Sequence, residues 1–409
     1  MSREYLRCIE CGEKFDSDAI LYSCPRCENL LEVVLPLESM DRRELRKRFD
    51  SRSLGVWRYR ELLPEIKLKT PVSMNEGGTP LRMCSNLAKE MGVRDLHVKF
   101  DGMNPTGSFK DRGMTVGISK AVDLGVRAVA CASTGNTSAS LAAYAALAGL
   151  RCIVMIPAGA IALGKLSQAM MHGAKVLAIK GNFDDALSLV VKSSKDFGLY
   201  ILNSINPFRP EGQKTAAFEI CDQLGDAPDV LVIPVGNGGN SAAYWKGFQE
   251  YSEIGLSKKL PRVYGVQAVG AAPIARAFES GAERIEPIRN PETIATAIRI
   301  GNPANWKKTI RAIRKSGGTA ITVSDSEIIE SQKRLARQEG LFVEPAAAAS
   351  IAGLSKLLAM GLIDRSERIA CVATGHGLKD PDAAIRISEK PIEIEPSLDA
   401  LKSLLTEDR

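Results

Sequence analysis

A chain of 409 residues is long enough for two or three domains with cores of their own. Its hydrophobic fraction of 45% and charged fraction of 25% are ordinary globular values, with no repeat or low-complexity tract. The net charge of +6 is small for this length, which argues for a mild preference for anionic ligands rather than an extended nucleic-acid surface.

The first residues, MSREYLRCIE, carry charges and no apolar run, so no signal peptide is expected. Residues 1–35 read as a small cysteine module. Cys8 and Cys11 make one knuckle and Cys24 and Cys27 the other, with twelve residues between them. Two thiolate pairs can close a tetrahedral zinc site, and so short a segment needs such a staple to fold. No coordination position would stay open, so the metal would be structural. A disulfide pair or a metal-free remnant would use the same residues. A nucleic-acid-binding ribbon would need a basic and aromatic cluster that the segment lacks. The other cysteines, at 84, 131, 152, 221 and 371, stand alone in apolar settings. An odd total with no secretion signal points to a reducing cytoplasm.

Residues 36–70 are charged and read as a connecting arm, with DRRELRKRF at 41–49 as a solvated helix. From about 71 the pattern alternates. Apolar runs at 96–100, 128–132, 152–156, 175–179, 230–235, 263–268 and 369–373 predict strands. Helical patterns span Ser138–Ala148, Asp184–Asp196, Ser326–Glu339 and Ala346–Met360. This alternation predicts an α/β fold with parallel sheets and helices on both faces. The apolar stretches 141–150 and 152–163 are broken by Arg151, Pro157 and glycines, so a buried helix and strand are expected there and not a membrane span. The tail after about 390 is polar.

Parallel sheets place ligand loops at the carboxyl ends of their strands. Four loops fall at such ends: GSFKDRG (107–113), STGNTS (133–138), GNGGN (236–240) and TGHGLKD (374–380). In GNGGN the glycines let backbone approach an anion, and a helix pattern begins at Ser241, so amides and a helix start could hold a phosphate. A plain glycine turn would look the same. Lys110, in GSFKDRG, sits at a predicted helix start. A lysine becomes a nucleophile when burial or nearby positive charge lowers its pKa. A solvated lysine is the ordinary alternative, and Asp111 with Arg112 would suit an ordinary salt bridge. Asn136 can bond a ring hydroxyl, although Ser/Thr/Asn clusters also cap helices. Thr374 ends a strand, where its hydroxyl could meet a pyridine nitrogen. A Schiff-base amine together with a phosphate cradle is what pyridoxal phosphate needs. His97, His172 and His376 are too scattered for a metal cluster, and no nucleophile elbow, GxGxxG fingerprint or Walker A lysine occurs. His376 suits either a site wall or a turn.

With these pieces assembled, residues 70–385 resemble the threonine synthases, within the fold type II pyridoxal-phosphate enzymes. The resemblance rests on EGGTPL (76–81), NPTGSFKDRG (104–113), STGNTSAS (133–140), NSINPFRPEGQKT (203–215), GNGGN (236–240), ATAIRIGNPANW (295–306), VEPAAAAS (343–350) and ATGHGLKDP (373–381). Several of these occur in related dehydratases and cysteine synthases. IRIGNPANW with GHGLKDP is the more specific combination. The cysteine ribbon is similar to modules in some archaeal-type members.

The resemblance implies two open, mostly parallel α/β domains of the tryptophan synthase β type, plus the ribbon. The large domain would take 71–114 and 208–390, the small one 115–207, and 391–409 would be a tail. Lys110 would hold the cofactor as a Schiff base and shuttle protons, and Asn136 would bond its ring hydroxyl. Gly236, Asn237, Gly238, Gly239 and Asn240 would hold its phosphate, and Thr374 would face its ring nitrogen. Ser133, Thr134, Asn203, Arg209 and Asn240 would take the substrate's phosphate. The implied activity is a carbon–oxygen lyase acting on phosphates, turning O-phospho-L-homoserine and water into L-threonine and phosphate by a cytoplasmic homodimer. A cysteate synthase or threonine dehydratase is the alternative enzyme reading. An interaction or nucleic-acid-binding protein on an inactive scaffold is the alternative from another class.

Overall fold

The computed structural model describes residues 4–158, 163–181 and 183–407. Among the described residues the strands fall into three sheets. β1 (Tyr5–Cys8), β2 (Lys14–Asp16) and β3 (Leu31–Val34) form an antiparallel ribbon in the order β2-β1-β3. β4 (Leu81–Met83) and β5 (Asp95–Phe100) start a second sheet, which the chain then leaves. β6 (Ala128–Ala132), β7 (Arg151–Pro157), β8 (Lys175–Ile179) and β9 (Tyr200–Ile201) make a parallel sheet in the order β8-β7-β6-β9. The chain returns with β10 (Val230–Pro234), β11 (Arg262–Ala268), β12 (Ala320–Val323) and β13 (Arg368–Ala373). The completed sheet runs β12-β11-β10-β13-β5-β4, parallel except for β4.

The central predicted strands form because their apolar runs are buried on both faces, while β8 at the sheet edge holds no buried residue. All residues of β6 and β10 are buried, as parallel strands under helices require. The ribbon strands β1, β2 and β3, and β4, β9 and β12, were not among the predicted strands. The predicted helices appear as Asn136–Leu147, Phe183–Phe197, Asp325–Glu339 and Pro345–Ala359. Residues 159–162, within the apolar stretch 152–163, lie outside the described residues. No helix among the described residues is long and apolar enough to cross a membrane.

Two expectations change. The helix at 42–50 is only partly solvated. Its Leu45 and Phe49 are buried, and Arg46 pairs with Asp222 at 2.9 Å. Tyr59, in the same arm, is fully buried with its hydroxyl 3.0 Å from Asp222. The arm therefore packs into the core of the large sheet. Asp111 and Arg112 do not pair with each other. Asp111 accepts from Thr106 N at 2.7 Å and Thr106 Oγ1 at 2.6 Å, while Arg112 turns to Asp101 and Glu219.

Candidate active site

Lys110 opens the helix Lys110–Asp123. The preceding segment is fixed from both sides. Gly107 closes a turn by donating to Asn104 O at 2.8 Å. Residues 107–109 then lie along 374–376, with Phe109 N donating to Thr374 O at 3.0 Å and His376 N to Gly107 O at 2.9 Å. The lysine and Thr374 are thus brought together by backbone bonds across the ends of β5 and β13.

Arg209 arrives by close approach of two helices. The short helix Arg209–Gln213 crosses Lys110–Asp123 at Gly212, where a Cβ would stand 1.7 Å from Arg112 O. Only glycine permits that crossing. Arg209 is 3% exposed, and its Nε has no partner among the described residues. Burial lowers its guanidinium to about 10, with no acid beside it to restore the balance. Burial, joined by the charge of Arg209, brings the Lys110 amine down to about 7, against an opposing pull from Glu344. The Lys110 Nζ lies 3.7 Å from the centroid of the Phe109 ring. An amine near neutrality is available both as nucleophile and as base.

The glycine loop follows β10 and leads into the helix Gly239–Glu253. Gly238 has φ +82°, and a Cβ there would come 2.1 Å from Thr309 Oγ1. The loop is held from outside by 304–309. Asn305 N donates to Asn237 O at 3.0 Å, Ala304 N to Asn237 Oδ1 at 3.3 Å and Thr309 Oγ1 to Gly238 O at 2.9 Å. Asn240 accepts from Gln213 Nε2 at 3.0 Å, and its buried Nδ2 has no partner. The helix starts at Asn136 and Gly239 carry no side-chain cap, so their first-turn amides remain for a ligand.

The serine-rich loop does not cap its helix as its composition allowed. Gly135 holds the cap position, and Ser133 Oγ accepts from Gly135 N at 3.2 Å. Thr134 beside it is partly exposed. Asn136 donates to both oxygens of Glu344, at 3.2 and 3.0 Å. Asn203 makes two bonds to backbone: its Oδ1 accepts from Ala132 N at 3.0 Å and one N–H of its Nδ2 donates to Ala132 O at 2.9 Å, which leaves the second N–H for a ligand. It braces the end of β6 just before Ser133. His376 serves the turn, with Nδ1 accepting from Leu378 N at 3.1 Å and its ring stacked on Phe100.

The residues fit a phosphorylated pyridine carbonyl cofactor. A depressed amine, a glycine cradle and the buried donors of Arg209, Asn240 and Ser108, unpartnered among the described residues, come from three segments of the chain. Residues 72–375 match the family described as "Pyridoxal-phosphate dependent enzyme". A threonine synthase of Methanocaldococcus jannaschii is 58% identical over 402 residues, covering 98% of this chain and 99% of its own. The chain belongs to the threonine synthase family. The threonine synthase of Mycobacterium tuberculosis is 54% identical over 341 residues, 83% of this chain and 92% of its own. Two solved structures share the fold alone. Threonine deaminase isoform 2 of Solanum lycopersicum has a TM-score of 0.65 at 23% identity, covering 76% of this chain and 82% of its own. Diaminopropionate ammonia lyase of Escherichia coli has a TM-score of 0.67 at 18% identity, covering 86% and 93%.

Three side chains around this threonine synthase-type site were not predicted: Ser108, Gln213 and Glu344. Glu344 is 4% exposed, accepts from Asn136, and would touch a Cβ placed on Gly375. Burial raises its carboxyl, with Asn136 and Lys110 pulling the other way. Its signal in VEPAAAAS was an acid set between an apolar run and a helix-starting proline.

The cysteines at the far end of the chain also converge. Their sulfurs all lie within 4.8 Å of one another, at 3.4 Å for Cys8–Cys27, 3.6 Å for Cys11–Cys24 and 3.5 Å for Cys11–Cys27. Sulfurs around a tetrahedral zinc, with Zn–S about 2.3 Å, stand about 3.8 Å apart. The set fits a structural metal, and none of these cysteines forms a disulfide.

Proposed function

We propose that this chain converts O-phospho-L-homoserine and water into L-threonine and phosphate. The observation that carries the reading is Arg209: a buried guanidinium with no acid partner among the described residues, beside the depressed amine of Lys110. A buried charge without a counter-charge is costly unless a ligand supplies one, and a substrate phosphate does.

Bound in the site, pyridoxal phosphate withdraws electrons from the substrate's α carbon and acidifies the protons beside it. Gly236, Asn237, Gly238, Gly239 and Asn240 would hold its phosphate through backbone amides and the helix start. Asn136, oriented by Glu344, would bond its ring hydroxyl, and Thr374 would face its ring nitrogen. Lys110, near neutral pKa, takes the α proton and carries protons in the later steps. Arg209 and Asn240, with Ser133 and Thr134 at the adjacent helix start, stabilise charge on the departing phosphate. Asn203 holds that loop in place through Ala132. Water then adds at the β carbon. Cys8, Cys11, Cys24 and Cys27 hold a structural zinc. The family resemblance alone supports a homodimer, which sedimentation tests, while the free cysteines suit a reducing cytoplasm.

Phosphate release and amino-acid product should be assayed from O-phosphohomoserine, and from O-phosphoserine with sulfite. Threonine from the first supports the reading. Turnover of the second alone would replace it with a cysteate synthase.

A further inference from the structure

The cysteine ribbon reaches the helix that frames the glycine cradle. That helix, Trp306–Lys315, has two working sides. Asn305 and Thr309, four residues apart, hold Asn237 and Gly238. Lys307 and Arg311, also four apart, point the opposite way at 3.6 residues per turn. Lys307 Nζ lies 3.0 Å from Glu10 Oε2 and 2.7 Å from Asn29 Oδ1. Arg311 donates to Glu10 Oε2 at 2.9 Å and to Ile9 O. Lys308 Nζ donates to Leu31 O at 2.7 Å.

The ribbon groups in these contacts are ones the cysteines position. Ile9 and Glu10 lie between Cys8 and Cys11, and Asn29 donates to Cys27 O at 2.8 Å. Leu6, Cys8, Cys24, Leu31 and Val33 share one apolar core with Ile310 and Ile313 of the helix. A second line runs from Val33 O through Lys246, at 2.6 Å, to Glu211 on the helix that begins with Arg209.

We propose that the ribbon braces the phosphate cradle, with Glu10 and Asn29 as positioning residues that act through the helix Trp306–Lys315. This rests on reading 236–240 as the cradle of the cofactor's phosphate. The ribbon thereby sets how firmly the cofactor is held without touching it. Each ion pair is partly exposed and weak alone, so the effect should be moderate.

The test uses the full-length chain with Glu10→Ala and Asn29→Ala combined, which keeps all four cysteines. The readouts are the pyridoxal phosphate dissociation constant, from visible absorbance on reloading the stripped protein, and hydrogen exchange at 236–240 and 304–309. The dissociation constant should rise about fivefold and exchange should quicken, with metal content unchanged. Arg7→Ala, which breaks the Arg7–Glu32 pair elsewhere in the ribbon at 2.8 Å, should change neither. Wild-type affinity and exchange in the double variant would overturn the brace, as would an equal loss in Arg7→Ala. A wild type that takes up no pyridoxal phosphate would sink the cradle reading instead, and exchange would still judge the brace.

Discussion

Two buried arginines stand on crossing helices and live opposite lives. Arg112 is fully buried and saturated. Nε and Nη2 reach Asp101 Oδ1 at 3.0 and 2.9 Å, and Nη1 and Nη2 reach Glu219 at 2.7 Å each. Lys99 joins the same Glu219 at 2.7 Å. Although burial alone would raise it, Arg112 and Lys99 hold the Glu219 carboxyl at about 2. Arg209 is nearly as buried and has no acid partner among the described residues. Burial lowers the charge affinity of both guanidinium groups, and only for Arg112 do Asp101 and Glu219 more than reverse it. The first cluster is closed on itself and stitches EGGTPL to the lysine segment through Thr79 and Gly78. The second is open. A buried charge left open marks where a ligand completes the structure.

That contrast can be broken in four ways. Lys110→Ala should abolish turnover, by about 10³-fold or more, and remove the visible absorbance of the holoenzyme. Activity above that level would dissociate the open cluster from the chemistry. Arg112→Met leaves Asp101 and Glu219 buried without a partner. Urea unfolding of the cofactor-free protein should show a loss of about 3–5 kcal/mol. Arg209→Met should leave that stability unchanged or improved, while kcat/KM for the phosphorylated substrate falls about 100-fold. Equal destabilisation by the two arginine changes would erase the distinction drawn here.

The smallest effect is a pH slope. The folded-state pKa of Lys110, about 7, lies below its unfolded value of about 10.4. Between those values the folded state binds fewer protons, so its stability rises with pH through this window. The penalty is fully present below about 7. Lys110→Met should flatten this part of the unfolding profile in the cofactor-free protein, measured at matched ionic strength.

Much of the fold was legible because its central strands are buried on both faces and read as unbroken apolar runs, as Ala128–Ala132 and Val230–Pro234 do. β9 has two residues and β4 three, too short for any periodicity to show. In the site, Lys110 and GNGGN were legible because the chemistry needs those residue types in local order. Glu344 was not, since its meaning comes from Asn136, 208 positions away. Asn203 shows the converse. Its amide type suits an anion, yet the fold turned it onto Ala132, which no local pattern records.

The crossing at Gly212 has a mechanical consequence. The chain passes from the six-stranded to the four-stranded sheet along Lys110–Asp123 and comes back just before Arg209–Gln213. The two passages pack along a seam, with Gly212 against Arg112 O, Gly113 against Arg209 O and Gly117 against the Arg209 side chain. A side chain larger than hydrogen at Gly212 would therefore part this seam and pull the two helices away from each other. Lys110 and Arg209 each open one of these helices, so the spacing of the amine and the guanidinium is set by that seam.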